Sequence, residues 1–272
     1  MAQPTLSRLI QQFERELGTR LFERSTRTVR LTSSGEALVE PANEVLDALK
    51  RAVQTVKAAG LGEVGRVRVA YAGASTHVLV GKLAKAIRRQ HPGISFEMSS
   101  SNFAATALDK VVRGEMEIGL GRWEHVPRGV STRVIADESL VLAVPISHAL
   151  AERSSVFMSE LRHESFVSLP PNSGSMLTER LRRLSSAAGF VADVVQVAPD
   201  SWTLMALVEA EIGVSLTVSS VAENVSQHGV AWVPVLDPTE PIQLRMAWLD
   251  IGDKAALHAV LRVAEKVLPS PT

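Results

Sequence analysis

Cysteine is absent from this 272-residue sequence. That absence removes disulfide frameworks, thiolate zinc sites, iron-sulfur clusters, thiol nucleophiles and thiol redox control in one step. Long apolar runs are lacking too: the longest are strand-sized, far short of the roughly 20 residues a membrane-spanning helix needs. The first residues do not show the charged-then-apolar layout of a secretory signal, so the cytoplasm is the expected address and a membrane is not an expected partner. Signs of catalysis are equally thin. There is no G-x-S-x-G elbow, and the seven histidines are scattered without H-E-x-x-H or paired-ligand spacing. Ser75 and His77 would diverge on a starting helix. Glu115 and Glu117 at a strand approach, and Glu209 and Glu211 at a helix end, read as solvated carboxylates. No catalytic residue, metal site or cofactor is expected, and the chain reads as a non-enzyme.

Neither sign of charge is in excess, with 29 basic and 29 acidic side chains, which on its face argues against phosphate binding. The distribution says otherwise. Residues 1–31 carry Arg8, Arg15, Arg20, Arg24, Arg27 and Arg30 against Glu14, Glu16 and Glu23, and the stretch 24–30 has arginines and no acid. Within it, Pro4 at a first helical turn, apolar Leu6, Leu9, Ile10, Phe13 and Leu17, and then Gly18 describe a short amphipathic helix with a defined stop. The β-branched and polar run Arg24 to Arg30 reads as a short hairpin, a wing. A helix, an arginine-bearing wing and a further helix start make the layout of a winged helix-turn-helix. Only Met1 and Ala2 precede the helix, so the expectation is a truncated unit over 1–32, without the helix that packs on the recognition helix.

Thr32-Ser33-Ser34-Gly35-Glu36 is a helix-start signal, with Ser33 and Glu36 spaced as a capping box. The helix expected over 33–59 carries Leu38, Ala42, Val45, Leu49, Ala52 and Val56 at alternating steps of four and three, one narrow apolar seam. A second copy of the chain is the economical partner for that seam, its own domain the alternative. Pro41 either kinks the helix or sits within its first turns. Residues 60–65 read as a hinge. They match G-x-G-x-x-G, but the dinucleotide fingerprint needs a strand before the glycines and a helix after them, and here the order is reversed.

From Arg66 strand and helix patterns alternate, which predicts a βαβαβ unit with a parallel sheet and then a second unit of the same texture. The 46% hydrophobic content is ample for such cores. One lobe is expected over 66–137 and 241–268 and another over 138–240, with a cleft between them where strand ends and helix starts converge.

These residues together resemble the LysR-type transcriptional regulators. The likeness runs through Gln3-Pro4-x-Leu6-Ser7-x-x-Ile10, Glu14-x-x-Leu17-Gly18-x-x-Leu21-Phe22-x-Arg24 and Leu31-Thr32-x-x-Gly35. It continues through Gly65-Arg66-Val67-Arg68-Val69, His91-Pro92-Gly93 and Gly114-Glu115-Met116-Glu117-Ile118-Gly119, so it covers essentially the whole chain. The resemblance implies an α/β protein with a winged helix-turn-helix, a long dimerising linker helix, and a two-lobed effector domain like a periplasmic binding protein of type 2. It implies operator DNA, a small-molecule effector and a homodimer or homotetramer as partners. Gln3, Pro4, Thr5, Ser7 and Arg8 would lie at the start of the recognition helix, where side chains and free N–H groups reach bases and phosphates. Arg24, Arg27, Thr28 and Arg30 would hold the backbone from the wing.

For the effector, the polar clusters between strand ends and helix starts are the candidates: Gly73, Ala74, Ser75 and Thr76; Ser100, Ser101 and Asn102; Ser173 and Ser175; Ser201 and Trp202; with Arg122 at the cleft floor or rim. Hydroxyls and N–H groups at helix starts suit a carboxylate, so a small organic acid is the expected ligand. The other reading is a small-molecule-binding protein whose DNA-binding unit is truncated or vestigial.

Overall fold

The computed structural model describes residues 3–24, 29–73, 76–101, 103–171, 175–225, 228–250 and 254–268, the side chains of Gln3, Pro4 and Arg24 excepted. The chain forms two compact units, Met1–Ala58 and Ala59–Thr272.

In the first unit, α1 (Gln3–Leu17) ends at Gly18, whose φ of 68° is the left-handed conformation glycine adopts without strain. The Gly18 and Thr19 N–H groups return to the carbonyls of Arg15 and Glu14 at 3.3 and 3.2 Å. Strands β1 (Phe22–Arg24) and β2 (Val29–Leu31) pair antiparallel, Glu23 opposite Arg30, as the two sides of the wing. The long helix α2 (Ser33–Gly60) runs continuously through Pro41.

Its cap differs from the expected one. Thr32, not Ser33, receives the Gly35 N–H on Oγ1 at 3.0 Å, and its carbonyl takes the Glu36 N–H at 2.8 Å. The choice among adjacent hydroxyls is made by tertiary structure, because the Thr32 hydroxyl also donates to the Arg20 carbonyl at 2.7 Å. Gly35 is buried, and a Cβ there would lie 2.2 Å from the Leu21 carbonyl oxygen. The helix start therefore approaches the loop before the wing more closely than any side chain permits. Along α2, Leu38 and Ala42 are half-buried while Val45, Leu49, Ala52 and Val56 are exposed, joined by a second exposed column of Val39, Leu46 and Val53.

Residues 61–63 join the end of α2 to the first strand of the second unit. In order come β3 (Val64–Ala72), α3 (Thr76–Gln90), β4 (Gly93–Ser101), α4 (Ala104–Val112), β5 (Ile118–Arg122) and β6 (Val130–Glu138). Then follow β7 (Leu140–Pro145), β8 (Ser165–Ser168), α5 (Met176–Ala187), β9 (Asp193–Val197), α6 (Ser201–Glu209), β10 (Ser215–Val218), α7 (Ser219–Asn224) and β11 (Val230–Pro234). Strand β12 (Ile242–Leu249) and helix α8 (Ala255–Val267) close the chain.

Lobe I is a five-stranded sheet ordered β4-β3-β5-β12-β6. β3 is parallel to β4 and β5, but β12 runs antiparallel to both its neighbours, so the sheet is mixed rather than purely parallel. One face packs Val67, Val69, Ile118, Leu120 and Met246 against α3 and α8. The other is lined by small residues such as Ala70 and Ala247, which let α4 and Trp123 come close.

Lobe II departs further from the expected parallel sheet. Its fully buried β7 is antiparallel to both β10 and β11, while β8 and β9 form a separate parallel pair. Phe166, Leu142, Met205 and Val208 fill its core. The chain passes into this lobe between β6 and β7 and returns between β11 and β12.

Candidate functional site

In the first unit the start of α1 presents Thr5 and Arg8 to solvent and Ser7 half-exposed, and no acidic side chain lies in the first turn. The first turn therefore carries no acidic side chain of its own to offset the positive end of the helix dipole. Arg30 is exposed on β2. The wing is anchored to α1 by Glu14, whose Oε1 accepts the Leu21 and Phe22 N–H groups at 2.8 and 3.1 Å. Leu6, Leu9, Phe13 and Leu17 are 45–51% exposed, so the apolar stripe of α1 is open within this unit. Arg27 and Thr28 lie outside the described residues, as do the side chains of Gln3, Pro4 and Arg24.

In the second unit the ends of β3 and β5 and the starts of α5 and α6 meet between the lobes. Gly73, Arg122, Ser175 and Ser201 line one cavity of about 60 Å3, whose remaining wall is Ala72, Phe103, Ala104, Leu169, Met176 and Leu177. Gly73 has φ +90°, and an added Cβ would lie 3.2 Å from Arg122 Nη1, so this turn both needs glycine and makes room for the guanidinium. Arg122 itself is 10% exposed and paired with Glu138, 1% exposed. Its Nη2 donates to Glu138 Oε1 at 2.6 Å and to Ser220 Oγ at 3.0 Å, and Ser220 in turn donates to Glu138. The positive charge is thus neutralised within the protein.

The helix starts differ in what they offer. At α6 the Asp200 carboxylate accepts the Trp202 and Thr203 N–H groups at 2.9 and 2.8 Å, so that terminus already holds an anion. At α5 Ser175 makes no side-chain capping bond. Thr76 is fully buried, its hydroxyl on the Ala72 and Gly73 carbonyls at 3.0 and 2.7 Å. Ser100 and Ser101 are not in a loop before a helix: β4 runs through Ser101, which is buried, while Ser100 points to solvent. Three consecutive serines at the end of a strand fall on both of its faces, so Ser100 and Ser101 meet different surroundings. Trp202 stands edge-on to His77 at 5.9 Å, and His77 to Tyr71 at 5.2 Å, an aromatic contact from lobe II to lobe I. Ala74, Ser75, Asn102 and Ser173 lie outside the described residues.

Two carboxylates escaped the sequence reading. Glu138 is one. Glu117, expected to be solvated, is the other: its side chain is 8% exposed. It accepts the Arg68 N–H at 2.9 Å, Arg68 Nε at 3.0 Å and Nη2 at 2.9 Å, and Lys254 Nζ at 3.3 Å. Burial would push its carboxyl up, but the hydrogen bonds and charge of Arg68 and the Lys254 ammonium hold it down at about 2. Among the described residues no group of His, Asp and Glu could hold a metal ion, and no helix is long and apolar enough to cross a membrane.

Comparison with known proteins accords with this arrangement. The family described as LysR substrate binding domain matches residues 61–268, and the bacterial regulatory helix-turn-helix protein, lysR family, matches residues 1–36. The chain is 28% identical over 264 residues to the HTH-type transcriptional regulator ShiR of Corynebacterium glutamicum (strain R), covering 97% of this chain and 89% of ShiR. It is 31% identical over 224 residues to the HTH-type transcriptional regulator ClcR of Pseudomonas putida, covering 82% and 75% respectively. The crystal structure of full-length CbnR complexed with its target DNA is similar in fold, with a TM-score of 0.78 at 23% identity over 98% of this chain and 90% of that one. With both matched families spanning nearly all of its residues, the chain belongs to the LysR-type transcriptional regulators, DNA-binding proteins that carry an effector-binding domain.

Proposed function

We propose that this regulator contacts duplex DNA through the start of α1 and the wing, and takes a small organic acid between the lobes of its second unit. It pairs with a second copy through the α2 seam as a homodimer or homotetramer. It acts in the cytoplasm by binding rather than by catalysis, as its relatives are regulators and not enzymes. The observation that carries the effector reading is the convergence of Gly73, Arg122, Ser175 and Ser201 on one cavity between two lobes. Hydroxyls, the amides at the start of α5 and a nearby guanidinium line the cavity, with no acidic side chain among the described lining residues, which suits a carboxylate. The apolar wall accepts the rest of a small acid.

At about 60 Å3 the cavity is well below the roughly 300–1,000 Å3 of ordinary ligand sites. Binding therefore requires the lobes to part, and the effector acts by stabilising a more open arrangement. A change in lobe placement is the signal passed to DNA binding.

The test is thermal denaturation of the whole chain with acetate, succinate and benzoate at constant ionic strength. At least one acid is expected to raise the apparent Tm, since a ligand at 100 times its Kd contributes about 2.7 kcal/mol, and Ser175→Ala with Ser201→Ala should abolish the shift. If no acid stabilises the protein, or the shift survives in the double variant, the effector reading fails. Fluorescence anisotropy with operator-length duplexes, with and without the stabilising acid, tests the coupling: an unchanged affinity and footprint would refute it.

A further inference from the structure

A smaller cavity of about 20 Å3 adjoins the one between the lobes, with Leu169, Leu177 and Ser201 common to the walls of both. Its other lining residues also come from lobe II, and no charged side chain is among them. Ser215 and Thr217 stand two positions apart on β10, hence on one face of it. Ser168 ends β8, which lies beside β10 through the Phe166–Val214 bridge. All three residues line the cavity; Ser215 is 1%, Thr217 3% and Ser168 6% exposed.

These hydroxyls are set apart by what they lack. The other buried hydroxyls are bonded: Thr76 donates to the Ala72 and Gly73 carbonyls, Ser185 donates to the Arg182 carbonyl at 3.2 Å, and Ser101 accepts from Lys110 Nζ at 3.4 Å. The Ser168, Ser215 and Thr217 side chains make no hydrogen bond among the described residues. Nor is any serine or threonine oxygen among the fully sealed atoms that lack a partner, so these three keep access to open space, and the cavity they line supplies it. A buried hydroxyl without a partner is destabilising. Three of them around one space suit a group that can both donate and accept.

We infer that this cavity is a subsite for one neutral hydroxyl group of the effector, which is therefore a hydroxy acid, its carboxylate in the cleft and its hydroxyl among Ser168, Ser215 and Thr217. This rests on the effector reading above. Size and charge select the group. A volume of about 20 Å3 holds one water-sized oxygen, and a second carboxylate there would be buried with no cation on the wall. A methyl group would leave the hydroxyls unpaired, and a site built to bond a hydroxyl discriminates strongly against the analogue without one. Because the whole wall belongs to lobe II, parting of the lobes does not take the subsite apart.

Isothermal titration calorimetry of the whole chain at constant ionic strength tests this, comparing benzoate with 4-hydroxybenzoate and terephthalate, and butanoate with 4-hydroxybutanoate. In at least one pair the hydroxy acid should bind about tenfold or more tightly than its parent, and terephthalate no more tightly than benzoate. Thr217→Val with Ser215→Ala, checked for folding by circular dichroism, should abolish that preference, whereas Thr217→Ser, which keeps the hydroxyl, should retain it. Parent acids that bind while neither hydroxy acid binds more tightly overturn the subsite alone. So does a preference that persists in the double variant, or terephthalate binding more tightly than 4-hydroxybenzoate. If none of these acids binds, the effector reading fails and the subsite with it.

Discussion

Glu117→Gln is the most quantitative perturbation the structure offers. The wild-type carboxylate stands at the approach to β5 and accepts bonds from the Arg68 backbone and guanidinium on β3 and from Lys254. It therefore ties together the two strands whose far ends deliver Gly73 and Arg122 to the cleft. Its pKa falls from 4.5 to about 2, and at about 1.4 kcal/mol per unit the full linkage is about 3 kcal/mol. The partners are partly wet, Arg68 30% and Lys254 53% exposed, so screening brings the expected loss to about 2 kcal/mol.

The sign follows from the direction of the shift. A carboxyl depressed in the folded state contributes in full above its unfolded value of 4.5, and that contribution is lost as pH falls toward 2. Urea denaturation followed by circular dichroism should show the variant less stable by about 2 kcal/mol at pH 7, with more than half of the gap gone by about pH 3. A gap that stays constant over that range, or one near zero at neutral pH, would refute the assignment of this carboxylate as a charged staple.

Three further outcomes are expected. Gly35→Ala puts a methyl group 2.2 Å from the Leu21 carbonyl oxygen, and overpacking of this kind costs about 1–3 kcal/mol; urea denaturation should show a weakened first unit and anisotropy weaker DNA binding, with acid binding intact. Arg8→Ala and Arg30→Ala each remove one exposed cation from the proposed DNA surface, so affinity should fall for all sequences alike. The slope of log affinity against log salt should shrink by about 1 for each phosphate that is no longer neutralised. Val45→Glu with Leu49→Glu buries charge in the proposed helix pairing, where the native side chains are 69% and 59% exposed in the single chain; sedimentation velocity should show dissociation, and an unchanged oligomer would place the pairing elsewhere.

What could be read in the sequence was what depends on local order. The apolar stripe of α1 and the stop at Gly18, the buried run Leu140 to Val144 and the heptad steps of α2 are periodic signals that tertiary structure had no reason to override. Val130 to Glu138 forms β6 although it carries no clear strand pattern, because Ser, Thr, Arg and Asp are mixed among its apolar residues. β6 is an edge strand, ordered by its pairing with β12 more than one hundred residues later.

The antiparallel course of β7 and β12 is likewise a matter of which distant segment returns to which edge. In the cleft, Gly73, Arg122, Ser175 and Ser201 were legible as polar residues at strand ends and helix starts. Phe103, Leu169, Met176 and Leu177 were not, since an apolar residue beside a ligand reads the same as one in a core. Glu138 and Glu117 were missed for a related reason: their arginines lie 16 and 49 positions away, and a carboxylate carries no local mark of its partner.

The internal pairing of Arg122 also decides how the cleft can recognise an acid. With Glu138 and Ser220 already on its guanidinium, Arg122 brings little net charge to a ligand, and the start of α6 is occupied by Asp200. The Ser175 and Ser201 side chains that line the cavity are neutral, as are the amides at the start of α5. Neutral donors in a low-dielectric site hold a carboxylate by geometry and fixed dipoles, which ionic strength screens weakly. DNA binding built on exposed arginines weakens steeply as salt rises. The two halves of the proposed function therefore respond unequally to salt. Raising ionic strength should release the protein from DNA while the acid remains bound, and an effector affinity that fell as steeply as DNA affinity would require a free cation in the cleft that the Arg122–Glu138 pair does not leave.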